Sequence, residues 1–362
     1  MEDLQMYNEI IIKSSISGSY SAKFVNNIES TITGMDNVEN AIYLIDQNVF
    51  DLHFSKIMNH VFSENFILIE STENTKTLEY IDTVITKLLE KKFKRNNNLV
   101  AIGGGVVQDI TAFIASILFR GVSWYFIPTT LLAQCDSCIG SKSSINFKGF
   151  KNLLGTFKPP VKILICPIFL DTLSEVEIRS GIGEMFHYFY TVGLEEAEEI
   201  SRLFPDILNN KSLLLKFIHR SLNIKKSIIE IDEFDNGIRH IFNYGHTFGH
   251  AIESLTEYEI CHGQAVTLGI DIANYISFRI GLITYDDYRN INKIISFNIP
   301  NLKINNSNFD IYIEILKKDK KNIDNKLGCI LPIRPGSVEK KFIEFDEGLK
   351  MYLLDYFNII IL

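Results

Sequence analysis

The 362-residue sequence has one tryptophan, five cysteines and eight prolines, and it carries no surplus of positive charge. Each shortage excludes something. The cysteines, at 135, 138, 166, 261 and 329, are too few and too scattered for a disulfide framework, which fits a reducing cytoplasm. Cys135 and Cys138 form a C-x-x-C, but no second pair lies nearby to complete a zinc site. A net charge of −8 argues against a nucleic-acid groove or an anionic membrane surface. No apolar run approaches the roughly 20 residues that span a bilayer. The opening MEDLQMYNEI is acidic and lacks the basic and apolar regions of a signal peptide. What is present, 46% hydrophobic and 22% charged residues, is the composition of a soluble globular chain, and its length suits two domains. Such an acidic protein can still hold an anionic metabolite, provided its basic residues gather in a pocket.

The first 160 residues alternate short apolar runs with helical stretches. AIYLID (41–46), FILIE (66–70), LVAIGGG (99–105) and SWYFIP (123–128) read as buried strands. LEYIDTVITKLLEKKF, between the second and third, is apolar at helical spacing and rich in lysine towards its end. This alternation predicts an α/β nucleotide-binding domain, a parallel sheet with helices, over 1–160. Pro159-Pro160 marks a border. After one more strand-like run, KILIC (162–166), the pattern turns mainly helical, so 161–362 reads as an α-helical domain for metal and substrate.

Three groups of residues carry chemistry. AIGGGVVQDITAFIA (101–115) is a strand, three glycines and a helix, where a phosphate could approach the backbone at a helix N-terminus; a plain tight turn also uses such glycines. It is not the GxGxxG of an ordinary Rossmann dehydrogenase. NYGHTFGHAIE (243–253) puts His246 and His250 four apart on one helical face, CHGQAV (261–266) adds His262, and GIGEMFHYFY (181–190) sets Glu184 three residues before His187. A carboxylate with two or three imidazoles suits a divalent metal, whereas a lone helical histidine is more often a packed residue. Lys142, Lys151, Lys225, Arg239, Lys320 and Lys321 lie near Gly-, Asn- or His-containing segments. Singly each reads as a solvated charge; together they could bind phosphate and carboxylate.

These ordered segments, with IPTTLLAQCDSCIGSKSSIN, KGFKNLLGTF, GIRHIFNYGHTFGHAIE and KKDKKN, resemble the 3-dehydroquinate synthases and the wider sugar phosphate cyclase family. The resemblance runs over nearly the whole chain. It implies a nucleotide domain followed by a helical one, with NAD, a divalent metal (zinc or cobalt) and substrate meeting in the cleft between them. It implies Glu184, His246 and His262 as metal ligands. It implies NAD contacts from Asp46, Glu73, Lys76, Gly104, Gly105, Val106, Asp109, Thr129, Thr130, Lys151 and Thr172. Substrate would be met by Lys142, Asn152, Lys225, Arg239, Asn243 and His250, joined by Lys320, Lys321 or both, with Asp136 beside the reacting hydroxyls. Arg120, in LFRG, would reach the neighbouring subunit's site, which implies a homodimer. The implied reaction is redox-neutral: a 7-phospho-heptulosonate is transiently oxidised by NAD, loses phosphate, is reduced again and closes its ring by an aldol step.

Two positions depart from the family pattern. Phe242 stands where the glucose-6-phosphate cyclases carry glutamate and the synthases usually leucine. His187 stands where the synthases carry lysine. That histidine could touch substrate, pack inertly or bind metal, and it opens the door to a cyclase acting on a modified substrate such as an amino sugar acid. Two rivals complete the field: an NAD- and metal-dependent polyol dehydrogenase, which gives no reason for the Lys142, Lys151-Asn152 and Arg239 cluster, and a non-catalytic descendant of a cyclase, against which the metal triad argues.

Overall fold

Runs rich in β-branched and aromatic residues become strands, and in the computed structural model, which describes residues 7, 9–28, 40–55, 65–302, 304, 306–319 and 321–360, they build the first of two units. That unit comprises Met1–Ser174 with Lys225–Phe234; the second comprises Glu175–Ile224 with Asp235–Leu362.

In the first unit, among the described residues, the strands are β1 (Ile10–Ser14), β2 (Gly18–Phe24), β3 (Ala41–Asp46), β4 (Phe66–Ile69), β5 (Asn98–Gly103), β6 (Ser123–Pro128), β7 (Lys142–Phe147), β8 (Phe150–Phe157) and β9 (Lys162–Ile165). Seven form one sheet in the order β1-β2-β9-β6-β5-β3-β4. All its pairs are parallel except β1–β2, an antiparallel hairpin at the edge. One face packs Ile45, Val100, Ile102, Ile127 and Leu164 against Phe50, Phe54 and Phe169. Helix α1 (Leu78–Glu90) is capped by Thr77, whose hydroxyl accepts from Tyr80 N at 3.3 Å, and it buries Ile81, Val84 and Leu88. Helix α2 (Gly105–Ile117) follows β5 directly. β7 and β8 form a separate antiparallel pair. The 225–234 segment joins this unit through carboxylates: Glu233 accepts from Ser14 Oγ at 2.8 Å and Ser15 N at 2.7 Å, and Glu230 from Lys13 N at 2.9 Å.

The second unit holds α3 (Glu175–Val192), α4 (Leu194–Ile207), most of α5 (Lys211–Ile229), α6 (His246–Leu255), α7 (His262–Arg279), α8 (Tyr285–Ile295), α9 (Asn306–Lys317) and α10 (Glu347–Ile360). An antiparallel hairpin, β10 (Lys326–Arg334) and β11 (Ser337–Glu344), interrupts the helices. Helix α3 is buried continuously from Ser180 to Tyr190. It can approach α7 because both helices carry glycine where they meet. A Cβ on Gly183 would collide with the Gly263 carbonyl oxygen, and one on Gly263 with that of Ser180. Behind the contact, the buried Asp271 of α7 accepts from Asn292 Nδ2 (3.0 Å) and Tyr356 OH (2.7 Å), tying in α8 and α10. Among the described residues no helix is long and apolar enough to cross a membrane.

Candidate functional site

In the second unit the glycine contact places the residues beside it. Glu184 follows Gly183 on α3, and His262, preceding Gly263, opens α7; His246 opens α6 after Gly245, whose φ of +81° is left-handed backbone. Glu184 Oε1 lies 2.6 Å from His262 Nε2 and 3.3 Å from His246 Nε2. One nitrogen each of His246, His250 and His262 lies within 4.8 Å of the others. The other edges of the rings settle their tautomers. His246 Nδ1 faces the Tyr244 carbonyl oxygen at 3.2 Å, and His262 Nδ1 faces Glu253 Oε2 at 3.0 Å. Both partners only accept, so both Nδ1 atoms carry the hydrogen. The two Nε2 lone pairs and a carboxylate oxygen therefore converge, an arrangement that demands a proton or a cation among them. The donor set fits a divalent ion such as zinc.

Electrostatics follow. Burial alone would raise the Glu184 carboxyl, but His246 and His187 outweigh it and hold it well below the ordinary range. Burial disfavours the His262 cation, yet Glu253 and Glu184 push its pKa well above normal. Burial lowers His246, opposed in part by Glu184. His250 is driven well down by burial and then by Lys321, so it is neutral at pH 7. His187 is 1% exposed; its Nδ1 sits 2.8 Å from Glu184 Oε2, an ion-pair contact, and among the described residues its Nε2 has no hydrogen-bond partner. Its ring meets the edge of Phe242 at 5.9 Å and lies 5.4 Å from His246. Lys321 Nζ reaches Thr247 Oγ1 at 3.4 Å and Asp319 at 3.6 Å. Lys320 lies outside the described residues. Arg239 is buried, and half-buried Asn243 donates to the His240 carbonyl at 3.3 Å.

In the first unit the glycine turn stands at the end of β5. Gly104 packs on Thr130, whose Cγ2 would meet an added Cβ at 2.9 Å, while among the described residues nothing stands within 4 Å of one on Gly105. The start of α2, with Val106 in its first turn, has no side-chain cap, leaving amide hydrogens for an anion. Thr129 N donates to the Gly103 carbonyl at 3.0 Å. Asp46 Oδ1 caps the next turn through Asn48 N (2.8 Å) and Val49 N (3.3 Å). Thr172 donates to the Phe169 carbonyl and meets His53 Nε2 at 3.0 Å. Lys76, nearly fully buried, lies 2.8 Å from Asp109 Oδ2, 3.4 Å from Glu73 and 3.0 Å from Asn152 Oδ1. Burial works against its ammonium, but Asp109 and Glu73 more than offset this and raise its pKa. Lys225 is likewise buried and donates to Asp136 Oδ1 and to its carbonyl, both at 2.8 Å. Lys142 is exposed at the start of β7, Lys151 is half-buried, and Arg120 is exposed at a turn with a φ of 63°. Cys135 and Cys138 are buried thiols outside any disulfide among the described residues; burial pushes the Cys138 thiol up to about 12, so it is no nucleophile at neutral pH.

Two features escaped the sequence: Glu253 behind His262, and the mutual pairing of Lys76 with Asp109. Glu253 ends a helical H-x-x-E, a pattern indistinguishable in sequence from a solvent-facing acid.

The fold is that of the sugar phosphate cyclases. A 2-deoxy-scyllo-inosose synthase complexed with carbaglucose-6-phosphate, NAD+ and Co2+ superposes with a TM-score of 0.81 at 21% identity, over 96% of this chain and 99% of that one. Sequence narrows the class. Residues 66–180 match the N-terminal part of 3-dehydroquinate synthase and residues 181–322 its C-terminal part. The 3-dehydroquinate synthase of Natranaerobius thermophilus is 37% identical over 310 residues, 82% of this chain and 84% of that protein. That of Thermodesulfovibrio yellowstonii is 38% identical over 314 residues, 84% and 87% of the two chains. The chain belongs to the 3-dehydroquinate synthase family.

Proposed function

We propose that this protein is a 3-dehydroquinate synthase, converting a 7-phospho-3-deoxy-heptulosonate to 3-dehydroquinate and phosphate. The observation that carries the reading, beside family membership, is the convergence of Glu184 Oε1 with the Nε2 atoms of His246 and His262. When bound, NAD would take up and return a hydride, and a divalent cation held by those three residues would act as a Lewis acid on substrate oxygens.

The chain's own residues bind, orient and hold protons. Gly104, Gly105 and Val106, at the uncapped start of α2, suit a dinucleotide phosphate, with Asp46, Glu73, Lys76, Asp109, Thr129, Thr130, Lys151 and Thr172 completing the proposed NAD contacts. Lys225 and Arg239 are buried cations suited to a substrate carboxylate, and Asp136 fixes the Lys225 ammonium before substrate arrives. Lys142, Asn152, Asn243 and Lys321 would supply further polar contacts. His250, kept neutral, can accept a proton from a substrate group. His187 would donate to or accept from a substrate hydroxyl through Nε2, which has no hydrogen-bond partner among the described residues. Arg120, exposed after α2, is proposed to reach the site of a second copy in a homodimer. A cytoplasmic location goes with cysteines that are thiols rather than disulfides.

A second reading rests on the contact of His187 with Phe242, the two positions that depart from the family pattern: a cyclase specialised for another sugar phosphate. Purified protein with NAD, zinc or cobalt and 3-deoxy-arabino-heptulosonate 7-phosphate decides. Phosphate and dehydroquinate should appear in equal amounts without net NADH, and a chelator should stop both. Net NADH would mean a dehydrogenase; turnover only of another sugar phosphate would favour the second reading. Unchanged activity on the standard substrate in His187→Lys would remove the assigned role of His187.

A further inference from the structure

Glu253 has no place in the chemistry described above, yet it is 3% exposed, a costly position for a carboxylate unless its oxygens are engaged. It lies at the far end of α6 from His246, and its Oε2 faces His262 Nδ1 at 3.0 Å and His250 Nε2 at 4.0 Å. His262 belongs to the next helix, so the contact is tertiary. Its effect on the imidazole is definite. With Nδ1–H committed to a carboxylate, the ring cannot turn over, and Nε2 faces Glu184 Oε1 at 2.6 Å, a gap that only a proton or a cation can occupy. The two histidines therefore differ in what stands behind them. His246 leans on a backbone carbonyl, Tyr244 O at 3.2 Å, whereas His262 leans on a full charge. A carboxylate in that place both orients an imidazole and makes it a stronger donor to a cation.

We propose that Glu253 is a positioning residue of the cation site, acting through His262: it selects the Nδ1–H tautomer, aims Nε2 at the cation and increases its basicity. The inference rests on the reading of Glu184, His246 and His262 as the cation ligands. A purely structural Glu253 would only tie α6 to α7, and the two roles separate by measurement. Full-length wild type, Glu253→Gln and Glu253→Leu are stripped of metal, their thermal melts are recorded, and zinc affinity is measured by competition with a chromophoric chelator. The visible spectrum of each protein loaded with Co2+ is compared. Glu253→Leu removes charge and acceptor and should weaken zinc binding by about 10–100-fold, with an altered cobalt spectrum. Glu253→Gln keeps an acceptor oxygen and should fall between Leu and wild type; if the Leu variant does not fold, the Gln variant decides alone. Zinc affinity and cobalt spectrum equal to wild type in a folded variant, whatever its melting temperature, would overturn the proposal. Wild type that takes up neither zinc nor cobalt would overturn the cation site and this inference with it, a result distinct from unchanged variants.

Discussion

Replacing Gly263 by alanine tests how the site is assembled. A Cβ there would sit 2.6 Å from the carbonyl carbon of Ser180 and 2.9 Å from its Cα, with the carbonyl oxygen nearer still. Carbon atoms in contact prefer about 3.5–4.0 Å and the oxygen is closer than either carbon, so α3 and α7 must separate by more than about 1 Å. Backbone is the obstacle on both sides, and no flexible side chain can yield. Overpacking of this kind costs about 1–3 kcal/mol, which for a body of this size corresponds to a fall of about 2–12 °C in melting temperature. The displacement also acts on function, because Glu184 and His262 sit beside the crossing with 2.6 Å between their facing atoms. Zinc affinity should fall about tenfold or more, as it does when ligand support is disturbed. Calorimetric melts and chelator competition measure both. Gly105→Ala is the control for stability, since nothing among the described residues lies within 4 Å of its Cβ. If Gly263→Ala melts within a degree of wild type and binds zinc equally, the glycine contact does not hold the ligands in place.

Three more expectations follow from the geometry. Zinc at about 100 times its dissociation constant should stabilise the protein by about 2.7 kcal/mol, and a melting temperature that ignores zinc would contradict the ligand set. Lys76→Met leaves Asp109 without its cation at 2.8 Å; a loss of about 3 kcal/mol in urea unfolding and weaker NAD binding are expected, and a neutral effect on both would mean the pair is ornamental. Burial raises the Asp271 carboxyl, only partly countered by Asn292 and Tyr356, so the native state binds that proton more tightly than the unfolded chain. This contribution must fall as pH rises from the ordinary carboxylate range through the raised native pKa, and Asp271→Asn should remove it. Urea midpoints across that range, identical in slope for both proteins, would refute the assignment.

Much of this was legible before any coordinates. AIYLID, LVAIGGG, SWYFIP and KILIC appear as β3, β5, β6 and β9 because a strand buried on both faces is apolar throughout. The hairpins were not. FKNLLGTF is a strand exposed at Phe150, Leu153 and Phe157, so its apolar residues gave no core signal, and KLGCILPIR lay hidden in a stretch that reads as helical. Spacing correctly put Glu184 and His187 on one helical face, but that they would meet at 2.8 Å, with the rings of Phe242 and Tyr188 beside the imidazole, depends on packing the spacing does not show. Glu253 was invisible because its burial is made by neighbours distant in sequence.

His246 and His262 are each the first residue of a helix, whereas Glu184 lies deep within one. Helix ends fray, and neither N-cap residue, Gly245 of α6 or Cys261 of α7, supplies a side-chain cap, although Gly263 N of α7 donates to Ser180 Oγ at 3.1 Å. Ligation would clamp the openings of both helices to a rigid middle. Hydrogen exchange should therefore slow on metal loading at the opening turns of α6 and α7, while the amides around Glu184 keep the protection they already have.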